Sequence, residues 1–272
     1  MTISENSGSL RGRRWFDALT HSAGREGPAP SLQVAEVNIA GQHCYVLLVK
    51  PEPENVFPRA RAGEVGLLEG WGIAQAIDSI IEANTQAMAK PAVIAVVDVP
   101  SQAYGRREEA LGIHQSLAAA VSAYARARLA GHPIVSLLVG KAMSGGFLAH
   151  GYQANRILAL GDEGVQVHAM GKAAAARITL RTEEELDQLA SEIPPMAYDL
   201  ENYASLGMLD ALIEVSSADS PDDQDVERVK GEIAHAVSDI KPGDVSLRRR
   251  LAGTNRKASR LVREMMRAQW DA

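Results

Sequence analysis

A chain of 272 residues, 46% of them apolar, can bury a full core in one large domain or two small ones. Its net charge of −6 excludes a general nucleic-acid binder, and its single cysteine, Cys44, excludes an intrachain disulfide framework and fits a reducing compartment. The start is polar, unlike a signal peptide, and no apolar run approaches the ~20 residues of a spanning helix, so the sequence reads as a soluble cytoplasmic protein with no membrane or nucleic-acid partner.

In chain order, residues 1–12 read as a mobile start and residues 13–19 as a helical turn anchoring Trp15 and Phe16. Gly and Pro break the chain at 24–30. Residues 32–39 and 43–49 form a hairpin pattern, and 51–58 is a loop with three prolines. Residues 67–89 carry helical spacing, with Leu68, Ile73, Ala76, Ile77, Ile80 and Ile81 on one broad face, until Pro91. The apolar run 92–97 is a buried strand ending at a loop edge, 98–100.

Residues 108–130 predict a second long helix, with Leu111, Gly112, His114, Leu117, Val121, Tyr124 and Ala125 along one side. Pro133 then precedes an apolar strand at 134–139. Short strands follow at 157–160 and 165–169, and Thr182 caps an acidic helix over 182–190. This alternation favours an α/β fold. Residues 216–227 read as an acidic linker and 229–240 as a helix. From Ser246 basic residues dominate, with Leu251, Leu261, Met265, Met266 and Trp270 as an apolar side. That amphipathic tail packs on its own domain, docks an acidic partner or, though no lipidation signal accompanies it, contacts a membrane.

The most informative stretch is 134–151, where an apolar strand runs into Ser144-Gly145-Gly146. Paired glycines permit close backbone approach, and a helix start leaves N–H groups without intrahelical partners. The Walker spacing, the hydrolase elbow (Ala142 stands where Gly is required) and the dinucleotide fingerprint are all absent. Two uses remain open: tight packing, or amide donors for a developing oxyanion. Arg106 and Arg107 follow the second strand edge and either hold an anion or pair with Glu108 and Glu109. The seven histidines show no zinc spacing. His114 reads as a core group, and His150, four residues after Gly146, reads as a residue able to approach the turn.

Four ordered segments carry a family resemblance: KPAVIAVVDVPSQAYGRREEALGIHQSLAAAVSAYA, PIVSLLVGKAMSGGFLAHGYQANRILAL, VHAMGKAAAARI and YASLGMLDALIEV. Together they resemble the carboxyltransferase branch of the crotonase superfamily, in particular the gamma-subunit family of biotin-independent malonate decarboxylases. The resemblance implies a crotonase-like spiral of ββα units over 31–215, after an N-terminal extension (1–30) and before an acidic linker and basic helical region (216–272). It gives Gly145 and Gly146 the oxyanion role and makes the loop 100–105 the other turn of the active-site region; with the residue reading above, Ser101, Gln102, Arg106, Ser144 and His150 are the candidate substrate contacts. The implied reaction is decarboxylation of a malonyl thioester, carried on the phosphopantetheine-type arm of an acyl carrier protein. The implied partners are a homologous beta subunit and an alpha transferase subunit.

Neither metal nor biotin is expected. Ser101 stands where related carboxylases carry Gly, and the turn Met170-Gly171-Lys172 lacks their acidic residue. The competing readings are a biotin-dependent carboxyltransferase subunit, an acyl-CoA hydratase or isomerase, and a non-enzymatic assembly subunit.

Overall fold

The computed structural model describes residues 8–270, so the expected mobile start falls largely outside the described residues. From Arg11 the chain is already helical. In α1 (Arg11–Thr20), Trp15, Phe16 and Leu19 share one face and are buried in the main core. Trp15 Nε1 donates to the Ala218 carbonyl at 2.8 Å, tying the two ends of the fold together.

The strand β1 (Arg25–Glu26) pairs with β2 (Leu32–Ile39), which forms a hairpin with β3 (Gln42–Val49). Its two-residue turn puts Ala40 at φ 45° and Gly41 at φ 86°, the mirror-image geometry whose twist matches the flanking strands. Next come α2 (Leu67–Ala83), β4 (Ala92–Val99), α3 (Arg106–Ala110), α4 (Ile113–Leu129) and β5 (Ile134–Met143). Strands β3, β4 and β5 are parallel and buried on both faces.

Two helix boundaries differ from expectation, for physical reasons. α2 stops at Ala83 because side chains take over its last carbonyls: Asn84 Nδ2 donates to Ile80 O at 2.8 Å and Thr85 Oγ1 to Glu82 O at 2.9 Å. The second helix splits because Gly112 turns left-handed, φ 82°, between α3 and α4. The buried side of α4 is Ile113, Ser116, Ala120, Ala123, Tyr124 and Ala127, while Leu111 and His114 are exposed.

β5 is the pivot of the spiral. Val135–Leu138 pairs with β6 (Arg156–Leu160); past a register shift, Lys141–Met143 pairs instead with β7 (Gln166–His168). Between these halves the chain makes the short helix α5 (Ser144–Ala149). The helices α6 (Lys172–Thr179), α7 (Glu183–Glu192) and α8 (Leu200–Ser205) follow, then β8 (Ala211–Ile213) on β6. α7 has the expected cap: Thr182 Oγ1 accepts from Glu185 N at 3.1 Å, and Glu185 Oε2 accepts from Thr182 N at 2.8 Å.

The expected boundaries at 30 and 216 are corrected by the packing. α1 belongs to the core, and so does α9 (Asp223–Asp239) through Val229, Ile233, Ala236 and Val237. The presumed linker is knotted down by buried Asp225, which accepts from Ser216 N at 2.9 Å and Ser216 Oγ at 2.6 Å. Only after two 3₁₀ turns does the chain leave the core, as α10 (Lys257–Trp270), which buries no residue.

Candidate active site

The β5–α5 junction meets the loop after β4. Ser144 occupies the left-handed region at φ 53°, uncommon for a residue with a side chain. Its Oγ accepts from Gln102 N–H at 3.0 Å and lies 3.5 Å from Ser101 Oγ. That loop is held from behind by Val65, whose N–H donates to Ser101 O at 3.1 Å and whose carbonyl accepts from Ala103 N at 2.9 Å.

Both glycines are required by this approach. A Cβ on Gly145 would collide with Gln102 Oε1, and one on Gly146 would sit 2.5 Å from the Ser101 carbonyl oxygen and 2.6 Å from Val99 Cγ1. Among the described residues, nothing accepts from the N–H groups of Gly145 or Gly146. Beside them lies a cavity of about 340 Å³, walled by Phe147, Leu148, Pro194 and Tyr203 together with Ser144 and His168. Its walls are mainly apolar, and no carboxylate lines it. A charge developing there interacts with fixed amide dipoles in a weakly screening medium.

The structure thus brings together Ser101, Gln102, Ser144, Gly145 and Gly146. Arg106 is apart from them: it is exposed at the start of α3 and makes no hydrogen bond among the described residues. Placing His150 at the substrate is corrected. Its imidazole is fully buried, with Nε2 donating to the Val96 carbonyl at 3.0 Å and Nδ1 accepting from Tyr124 OH at 3.0 Å. A carbonyl only accepts, which fixes the tautomer. Burial lowers the His150 pKa to about 4, partly offset by the Val96 bond, so the ring is a neutral strut of the core with no free atom.

The cavity residue missed in the sequence is His168. Its nearest signal there was a place at the end of a short strand, which many histidines share. Burial lowers its pKa, with the bond to the Met170 carbonyl opposing. Elsewhere, a larger cleft of about 660 Å³ is lined by Asp162, Glu163, Asp187, Asp199, Glu201 and Glu214, a field that repels a carboxylate substrate. Among the described residues no cluster of three metal-ligating side chains occurs, and no helix is long and apolar enough to cross a membrane.

Comparison with known proteins places this geometry. The family model for the malonate decarboxylase gamma subunit matches residues 60–270. A Pseudomonas malonate decarboxylase hetero-tetramer solved in complex with coenzyme A contains a chain 59% identical to this one, covering 96% of this chain and 99% of its own, with a TM-score of 0.92. A chain of the Pseudomonas MdcD-MdcE hetero-dimer is 58% identical over 96% of this chain and all of its own, TM-score 0.89. The malonyl-S-ACP:biotin-protein carboxyltransferase MADD of Malonomonas rubra is 35% identical over 189 residues, 68% of this chain, which spans only 65% of that relative. With an α/β fold of the crotonase-like carboxyltransferase type and a match over most of its length, the chain belongs to the malonate decarboxylase gamma-subunit family.

Proposed function

We propose that this chain is the gamma subunit of a cytoplasmic malonyl-thioester decarboxylase, working with a homologous beta subunit at a shared active site. The substrate is malonyl thioester on an acyl carrier protein, and an alpha transferase subunit completes the larger complex. The carrier's phosphopantetheine-type arm presents the acyl group; the apolar walls at Phe147, Leu148 and Pro194 fit its thioester end.

The observation that carries this reading is the pair of uncommitted amides at Gly145 and Gly146, of which Gly145 lines a cavity free of carboxylates. When the bond to the leaving carboxylate stands perpendicular to the thioester plane, its electrons pass into an enolate. Charge then grows on the thioester oxygen, and the amides hold that charge more strongly than the ground-state carbonyl. Ser101, Gln102 and Ser144 hold the turn in shape.

The test is turnover of malonyl-carrier by the reconstituted gamma–beta pair, followed as acetyl-carrier by mass spectrometry. Gly146→Ala drives a methyl group against the Ser101 carbonyl and is expected to lower kcat about 100-fold. Wild-type turnover by a folded, associated variant rejects the donor assignment. A hydratase or isomerase needs an acid/base carboxylate beside the donors, and the cavity supplies none. Transfer to a biotin carrier is the second reading, favoured by the name of the 35% identical relative. It wins if carboxybiotin, rather than free carbon dioxide, accumulates when a biotin protein is added.

A further inference from the structure

His168 ends β7 directly beside the elbow: it is the register partner of Met143, the residue before Ser144. Its ring is fixed in two ways. One face stacks on Tyr198, with centroids 3.9 Å apart and planes 14° from parallel. Nδ1 lies 3.0 Å from the Met170 carbonyl, which Tyr198 OH also bonds at 2.9 Å. With Nδ1 unprotonated the Met170 N–H donates to it at 3.3 Å; the shorter contact, to the Met170 carbonyl, favours the tautomer with the hydrogen on Nδ1 and the lone pair on Nε2. Among the described residues nothing bonds Nε2. An imidazole immobilised at its face and one nitrogen, with the other nitrogen uncommitted, on a residue that lines the same cavity as Gly145, has the form of a proton-transfer group.

Resting on the decarboxylase reading above, we infer that His168 is the residue that delivers the proton replacing carbon dioxide on the substrate carbon. In the protonated ring both nitrogens carry hydrogen. As the carbon–carbon bond breaks, carbon dioxide leaves and the electron pair enters the enolate. The Nε2 proton then passes to the α-carbon, giving the acetyl thioester and a neutral imidazole still bonded to Met170. Solvent restores the proton.

The groups around the ring suit both states. Tyr198 and Tyr203 are uncharged, and Lys172 of α6 is paired with Asp187 of α7 at 2.6 Å. No carboxylate of the cavity wall holds the empty ring protonated, so the substrate's own carboxylate supplies the negative charge that favours imidazolium. In reverse, the neutral ring is a base for the acetyl product's α-hydrogens.

The test uses the gamma–beta complex with malonyl-carrier. His168→Gln is expected to lower kcat at least about 100-fold while KM changes less than about threefold. Imidazole added to His168→Ala is expected to restore part of kcat. The wild-type complex is expected to exchange acetyl-carrier methyl hydrogens with deuterium oxide, and both variants to lose that exchange. Turnover of His168→Gln within about twofold of wild type overturns the inference. So does a loss seen only in KM, or a loss in kcat that imidazole does not relieve, since each marks a packing role. Gly146→Ala separates the two levels: if it is inactive while His168→Gln is not, this inference alone fails; if both turn over normally, the site reading fails with it.

Discussion

His150 shows how a single buried ring sets a pH limit on the fold. Its folded pKa of about 4 lies below the ordinary 6.5, so the unfolded chain takes up the proton first as pH falls. Stability is therefore complete above about pH 6.5 and declines between pH 6.5 and pH 4, by roughly 3 kcal/mol from this group. Urea titrations at pH 7 and pH 4.5 are expected to show that decline, and His150→Gln to flatten it; equal slopes in both proteins reject the assignment. Ser144 carries a different load. Ser144→Ala keeps the left-handed backbone and strips Gln102 N–H of its acceptor, an expected loss of about 1–3 kcal/mol. Ser144→Gly relieves the backbone and is expected to lose less, so denaturation midpoints rank wild type, Gly, Ala. The glycine pair was legible in the sequence because Ser-Gly-Gly abuts an apolar run. The hydrogen bond from Gln102 to Ser144 was not, because it joins two loops that meet only through strand pairing. His168 was illegible for the same reason: its partners Met170 and Tyr198 define it, and neither has a motif.

Among the elements, the crossing of α2 and α4 depends on one missing side chain. A Cβ on Gly70 would strike Ser116 Oγ and come within 2.7 Å of the Ser116 carbonyl oxygen. Ser116 cannot turn aside freely, since its hydroxyl donates to the Leu67 carbonyl at 2.8 Å and anchors the start of α2. Gly70→Ala is thus expected to destabilise by about 1–3 kcal/mol through overpacking, despite the higher helix propensity of alanine. Thermal unfolding checks the sign, and a stabilised variant would show that the helices slide apart without cost. This crossing also explains why the face of α4 was misread. Bulky Leu111 and Val121 suggest one side, but the side that is buried carries small residues, Ala120, Ala123 and Ala127, with Ser116 against Gly70. Strands were easier: β2 matches at both ends, and β4 and β5 share their first residues with the expected runs, because continuous apolar stretches flanked by proline have few other uses.

At the scale of the whole molecule, the chain closes on itself and then departs. α1 and α9 cover the same core, and Arg156 fastens the closing segment by donating to Asp239 at 2.8 Å and Asp244 at 3.0 Å. α10 then stands free, with Leu261, Val262, Met265, Met266 and Trp270 each more than half exposed. Leu261 and Met265, like Val262 and Met266, are four residues apart and form one stripe, while Arg260, Arg263 and Arg267 supply charge. A helix of 14 residues with nothing buried is marginal in water, so its stability has to come from a surface outside this chain. The hetero-oligomers formed by relatives of the same length supply a candidate, the beta subunit, whose contact would cover the stripe. Replacing both Leu261 and Met265 with Asp is expected to leave the core's unfolding transition in place, because no core residue is touched. It is expected to weaken binding to the beta subunit at least about tenfold, as loss of two apolar anchors does at an interface centre. Sedimentation or calorimetric titration of the two subunits measures this directly. Unchanged affinity would mean that the stripe faces some other surface of the complex and that the gamma–beta contact lies entirely on the folded core.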